Sequence, residues 1–360
     1  MSGLKAVVEQ QVERAWYGGA RWSLALKPLI PLYKHAALKA KVTGQIAAQN
    51  NPLGIPVVVV GNITAGGTGK SPVVIKLAKD LKARGFRPGI LSRGYAAKSD
   101  TESRLVKAED SAEGVGDEPL MMARSLLDVP VIIDRDRPRG ANFLKANCDV
   151  NLVICDDGLQ HYALARDVEI AVLDASRGIG NGQLIPVGPL REPVERLQTV
   201  HQVLCNGSKT NLPAELQTQI DYEFELQPVS WRNLATAEIR AIENTPFSGE
   251  VIAVSGIGNP GRFHRTLEGL GLQPKPMVFP DHHKFSDKDF QLKPRDRDLP
   301  LVMTSKDAVK CAGLVEKMGV QAIWWVLEVE AQLPAQFVDA LVSQLSQAVT
   351  DVKEHKREID

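Results

Sequence analysis

Cysteine is scarce in this 360-residue chain: Cys148, Cys155, Cys205 and Cys311 are the only four, and no two are spaced as a CxxC pair. That spacing argues against a zinc site or a dithiol redox motif, and scattered single thiols suit a reducing compartment. Net charge is lacking too, since 43 basic residues offset 43 acidic ones. The bulk electrostatic case for nucleic acid as a partner therefore fails. No apolar run approaches the roughly 18–20 uncharged residues that a membrane-spanning helix needs, so the chain is expected not to cross a bilayer. The N-terminus has no compact apolar stretch of the kind a signal peptide carries. Repeats and low-complexity tracts are also missing. What is present is ordinary for a globular protein, 44% hydrophobic and 24% charged, in a length that suits two domains better than one core.

Residues 1–41 stand apart from the rest. Leu4, Val8, Val12, Ala15 and Trp16 fall at helical spacing. Seven basic residues (Lys5, Arg14, Arg21, Lys27, Lys34, Lys39, Lys41) face only Glu9 and Glu13, with Trp16, Tyr17, Trp22 and Tyr33 among them. A basic amphipathic segment with aromatics is the composition of a helix lying at a membrane surface. A helix packed on a core with a solvated basic face has the same pattern.

From residue 55 the text reads as α/β. Ile55–Val60 is a β-branched run suited to a buried parallel strand. Short apolar runs at 89–91, 129–133, 150–155, 170–173 and 200–205 repeat the signal, with helical stretches between them. That alternation predicts a doubly wound parallel sheet of P-loop NTPase type over residues 42–219. Residues 220–243 alternate instead, with Tyr222, Phe224 and Leu226 on one side, and predict a β-ribbon linker. Runs at 251–254, 275–279, 301–304 and 323–326 predict a second, smaller α/β domain over 244–350.

The strongest motif is Thr64-Ala65-Gly66-Gly67-Thr68-Gly69-Lys70-Ser71, set between a strand and a helix. A P-loop reads G-x-x-x-x-G-K-[ST], and Thr64 stands where its first glycine is expected. The glycines let backbone amides turn inward around phosphate oxygens. Lys70 reaches the β- and γ-phosphates of ATP, and the Ser71 hydroxyl suits Mg²⁺. Such a loop serves kinases, switches and motors alike.

Asp156 and Asp157 follow the apolar run 152–155, where ligands bind beyond the ends of parallel strands, and are candidate metal ligands. Asp117, in Gly116-Asp117-Glu118-Pro119, is a candidate base for a hydroxyl acceptor, or else a helix cap. Asp281-His282-His283 offers a histidine able to orient such a base. Arg93, Arg137 and Arg191 lie just past strands or in a turn-rich stretch, placed to hold substrate phosphate.

The order of these strings resembles the tetraacyldisaccharide 4′-kinase family over about residues 10–330: Gly61-Asn62 before the P-loop, Ser92-Arg93-Gly94-Tyr95, Gly116-Asp117-Glu118-Pro119, Asp156-Asp157-Gly158-Leu159-Gln160-His161, Leu190-Arg191-Glu192 and Asp281-His282-His283. The resemblance implies ATP-dependent phosphorylation of the 4′-hydroxyl of a tetraacyldisaccharide 1-phosphate to give lipid IVA. It implies ATP and Mg²⁺, an acylated disaccharide substrate, and peripheral contact with the cytoplasmic face of an inner membrane. It makes Asp117 and His282 the base and its partner. Asp156, Asp157, Arg191 and Glu192 then serve nucleotide and metal, and Asp281 joins the substrate site. Ser71 stands where threonine is common, and Ala96 where glycine often follows the Ser92–Tyr95 string. Two other readings predict different behaviour: a P-loop enzyme of a soluble metabolite gives residues 1–41 no role, and a nucleotide-switched membrane protein gives Asp117 none.

Overall fold

The computed structural model describes residues 2–94, 102–318 and 323–359. Tyr95 and Ala96 lie outside these, as do the side chains of Leu4, Lys5 and Glu9. The chain opens with α1 (Ser2–Trp16), a 3₁₀ turn (Trp22–Leu29) and α2 (Ile30–Gln49). Then come β1 (Val57–Gly61), α3 (Lys70–Ala83), β2 (Pro88–Ser92), β3 (Arg104–Leu105), α4 (Ala112–Val115), α5 (Asp117–Ser125), β4 (Val131–Ile133), α6 (Arg137–Asn147), β5 (Leu152–Asp156), β6 (Val168–Asp174), β7 (Gln202–Asn206) and α7 (Ala214–Gln217). The remainder is β8 (Tyr222–Asn233), β9 (Ile239–Ala241), β10 (Glu250–Ser255), α8 (Pro260–Gly269), β11 (Gln273–Val278), β12 (Leu301–Thr304), α9 (Ser305–Met318), β13 (Trp324–Gln332) and α10 (Ala335–Ile359).

Among the described residues the strands form one sheet, ordered β11-β10-β12-β13-β8-β7-β6-β1-β5-β2-β4-β3, with β9 paired to β8. Most pairs are parallel. The antiparallel ones are β8 with β13 and with β9, and β3 with β4. β8 joins the two halves because its first residues run parallel to β7 while its later ones pair with β13. The parallel strands of the first half are buried along their whole length, Val57 to Val60 fully so. One face packs under α3, α5 and α10, and the other under α6, α7 and the turn at Leu197. A sheet covered on both faces needs apolar residues at consecutive positions, which is why these strands read as β-branched runs and not as alternations.

Two helices run across the divisions expected from the sequence. α2 runs past residue 41 to Gln49, held by Gly44, whose Cβ would meet Tyr162 and Ala163 at 2.8–2.9 Å. And α10 does not stay with the second half. Phe337, Leu341 and Leu345 pack on the first-half sheet among Val58, Ile170 and Phe224, with Phe337 edge-on to Tyr222.

Candidate active site

The loops at the carboxyl ends of β1, β5 and β6 meet at the glycine loop. Thr64 bridges to Leu190 and the Ala65 amide donates to Pro189 O at 2.8 Å. Position 64 is therefore a β-type contact that threonine fills as well as glycine. Gly66 and Gly69 take φ of 112° and 96°, the region where glycine has no rival. A Cβ at Gly69 would also fall 2.6 Å from Asn206 Nδ2, which donates to Thr68 O. Gly69 precedes α3 without a side-chain cap, leaving the first helical amides aimed at the loop. Lys70 Nζ lies 3.4 Å from Asp157 Oδ1.

Asp157 holds a left-handed backbone, φ 49°, which costs a non-glycine residue about 1–2 kcal/mol. Arg191 Nη1 donates to both its carboxylate oxygens at 3.0–3.1 Å. Burial works against its charge, but Lys70 and Arg191 outweigh that and hold the carboxyl far below the usual range. Asp156 is the opposite case. Burial, reinforced by Glu118 and Asp157, pushes its carboxyl up, and Oδ1 is buried with no hydrogen-bond partner. Glu192 is held by protein groups on both oxygens: Gln160 Nε2 donates to Oε1 at 2.7 Å, and Tyr162 and Arg196 take Oε2. Both of its oxygens serve to brace the loop that carries Arg191.

The other cluster comes from both halves. Asp117 opens α5 after Gly116 (φ 93°) and is buried. His282, in the turn after β11, also has a left-handed backbone, φ 59°, and its Nδ1 lies 2.9 Å from Asp117 Oδ2. Burial would raise the Asp117 pKa. The hydrogen bond from His282 and the charges of Lys306 and Lys310 prevail and hold it at about 2. Burial pulls His282 down, and the contact with Asp117 more than reverses that, so its pKa is raised. His283 is different: it stacks on Phe279 and binds Asp289 at 3.2 Å. Asp281 is paired within the same cluster. Its Oδ1 receives Lys306 Nζ at 3.0 Å.

Arg137 is 2% exposed beneath the Asp156 turn, donating to Asp156 O and Asp134 O, with Nε unpaired. It props the turn and lies at the floor of a cleft of about 540 Å³, which Arg135, Arg139, His161 and Tyr162 also line against α2. Arg93 is exposed, and its charge, after burial and Arg137, helps lower the His161 pKa to about 4.

A family model described as tetraacyldisaccharide-1-P 4′-kinase (LpxK) matches residues 22–346. The chain belongs to the tetraacyldisaccharide-1-phosphate 4′-kinase family. It is similar to the tetraacyldisaccharide 4′-kinase of Pseudomonas aeruginosa, 45% identical over 90% of this chain and 93% of that one. The counterpart from Dechloromonas aromatica is 44% identical, covering 93% of this chain and 97% of its own. Among solved structures, one described as the "apo" form of LpxK from Aquifex aeolicus in complex with ATP has a TM-score of 0.67 and 27% identity, covering 90% of this chain and 99% of that one.

Within this family fold, the residues that pattern reading passed over are Lys306, Lys310 and Asp174. Lys306 bonds Glu118 at 2.9 Å as well as Asp281, tying α9 to α5. The signal was there: Thr304-Ser305-Lys306 closes a parallel strand and opens a helix, the position that carries ligands in such sheets. The family implies Mg²⁺, and the donor set fits it. Asp156 offers an unpaired buried oxygen and Ser71 a hydroxyl at the start of α3. Among the described residues no three His, Cys, Asp or Glu gather as a metal cage; Mg²⁺ at phosphoryl-transfer sites is typically held by one or two carboxylates plus substrate phosphates.

Proposed function

We propose that the Asp117–His282 contact is the catalytic pair of an ATP-dependent kinase that phosphorylates the 4′-hydroxyl of tetraacyldisaccharide 1-phosphate in lipid A biosynthesis. The activity is that of the family; the assignment of roles is our reading. The observation that carries it is the 2.9 Å bond across the two halves, beside lysines from α9. Residues 64–71 act as a P-loop, with amides and Lys70 on the ATP phosphates. Lys70 now rests on Asp157, so its ammonium exchanges that carboxylate for phosphate when nucleotide arrives. Asp156 and Ser71 would hold Mg²⁺, which supplies charge neutralisation between the phosphates.

Asp117 receives the proton of the acceptor hydroxyl. A carboxylate of such low pKa is a weak base, which suits a loose transition state in which the proton leaves late. His282 orients it, and in its neutral form with Nδ1 unprotonated takes that proton from Asp117 in turn. Residues 42–219 with α10 form the nucleotide-binding domain, 244–334 the smaller one, and the β8–β9 ribbon the linker, so that closure brings base to acceptor and excludes water. The arginines of the cleft suit an anionic disaccharide, and the N-terminal helices rest on the cytoplasmic face of the inner membrane.

The test is transfer of label from γ-labelled ATP to detergent-dispersed tetraacyldisaccharide 1-phosphate. Wild type labels the lipid, Lys70→Ala does not, and Asp117→Asn keeps ATP affinity while losing most of its rate. Normal turnover by Asp117→Asn sinks the base assignment.

A further inference from the structure

A second seam, separate from the Asp117–His282 contact, joins the two halves. The turn that leaves β10 at Ser255 carries Gly258 onto the backbone of the glycine loop. A Cβ on Gly258 would lie 2.6 Å from Gly67 N and 3.2 Å from Gly67 Cα. Gly258 does not need glycine for its own conformation, because its φ is outside the left-handed region. Only the approach to Gly67 demands it. Two first-half residues hold the turn there. Arg177 Nη1 donates to Gly258 O. Asp174, buried at the end of β6, accepts from Asn259 Nδ2 at 3.0 Å and from Arg262 Nη2 at 2.6 Å. Gly256 N is fixed from its own side by Asp307 at 3.0 Å.

Arg177 also faces the N-terminal helix. Its Nη2 donates to Glu13 Oε1 at 2.6 Å, and the guanidinium lies 4.1 Å over the Tyr17 ring. The Tyr17 hydroxyl in turn donates to Ala65 O at 3.4 Å, inside the glycine loop. One guanidinium thus touches α1 and the second-half turn, both of which contact the same loop.

We propose that the Gly258 turn is a closing piece seated on the glycine loop, and that Arg177 is the positioning residue that sets it there together with α1. The inference rests on the kinase reading above and adds to it. The loop's amides are held in one geometry only while the halves are together, so the phosphate is reactive only in that arrangement.

The test uses the full-length protein, γ-labelled ATP and detergent-dispersed tetraacyldisaccharide 1-phosphate, with ATP binding by calorimetry and thermal unfolding measured alongside. Gly258→Ala forces the turn off the loop without straining either half. A displacement of about 1 Å is enough to cost roughly 100-fold in kcat, with ATP affinity and unfolding temperature kept. Arg177→Met gives the same split, and Arg177→Lys, which keeps the charge and one of the two contacts, recovers part of the rate. Arg177→Met alone decides the matter if Gly258→Ala does not accumulate as folded protein. Wild-type kcat in either variant overturns the proposal. So does a rate loss matched by an equal loss of ATP affinity or of unfolding temperature. An unlabelled lipid with wild-type protein overturns the kinase reading itself, which these variants do not address.

Discussion

Asp117 and His282 pull each other's titration in opposite directions, and that gives the pair two signatures. In catalysis, an aspartate held at about 2 is ionised across the working range, so alone it would give a flat profile from pH 5 to 8. If His282 accepts the proton, it must be neutral, and its raised pKa puts the rising limb of kcat above the ordinary imidazole value of about 6.5. The expected profile climbs through that limb in wild type and loses it in His282→Gln; a flat wild-type profile refutes the relay. In stability, the Asp117 share is present above the ordinary carboxylate value of about 3.9 and lost as pH falls toward about 2. The His282 share is present below about 6.5 and lost as pH rises past its raised folded value. The difference in unfolding free energy between wild type and His282→Gln is then greatest between those limits, and a pH-independent difference counts against the pair. Lys306 belongs to the same cluster. Burial opposes its charge, but Glu118, Asp281 and Asp117 keep it protonated. Lys306→Met leaves those carboxylates facing one another. Its expected cost in urea unfolding is about 2–3 kcal/mol, below the ~3–5 of a fully buried pair because Glu118 and Asp281 are each near one-third exposed. Unchanged stability would remove Lys306 from the cluster.

At the scale of elements, α10 is the test of how the chain is partitioned. Leu341 is fully buried against first-half strands, although it is contributed by the last helix. Leu341→Ala should cost about 2–5 kcal/mol and loosen the nucleotide half first, read as earlier proteolysis around α3; cleavage confined to residues 250–332 would place α10 elsewhere. This helix also marks where the sequence stops being legible. β1, β5 and β6 were readable because a strand buried on both faces must be apolar at every position, and a P-loop must sit between strand and helix. Asp117, Asp156 and His282 stood out as candidates by position and residue type, and the ordered set of strings gave each a single role to propose. The return of α10 left no local trace, since its apolar stripe specifies burial but not against what. The contacts of Glu192 with Tyr162 and of Arg137 with the Asp156 carbonyl were hidden for a related reason: these partners lie 30 and 19 residues away in sequence.

For the whole molecule the remaining question is how it meets a lipid. No helix among the described residues is long and apolar enough to cross a membrane. α2 instead has two faces at 3.6 residues per turn. Ile30, Tyr33 and Gly44 turn toward the first-half core, while Leu32, Leu38, Val42 and Ile46 lie along the opposite side, each about half exposed or more. Trp22, Leu24 and Leu29 extend that surface through the 3₁₀ turn. Lysines 27, 34, 39 and 41 rise from the same stretch. Each leucine buried in a bilayer contributes about 1.5–3 kcal/mol, and each basic residue near an anionic surface about 1. The apolar share should therefore be at least as large as the electrostatic one. Vesicles containing phosphatidylglycerol should carry the protein down on centrifugation. High salt should weaken that without abolishing it, because screening acts on the charges alone. Leu32→Glu with Leu38→Glu should abolish it, and should raise KM for substrate in vesicles while leaving kcat on detergent-dispersed substrate unchanged, since neither residue touches the glycine loop or Asp117. If the double variant sediments with vesicles as wild type does, this face is not the one that meets the membrane. If salt alone releases the protein fully, the lysines hold it and the leucines do not insert.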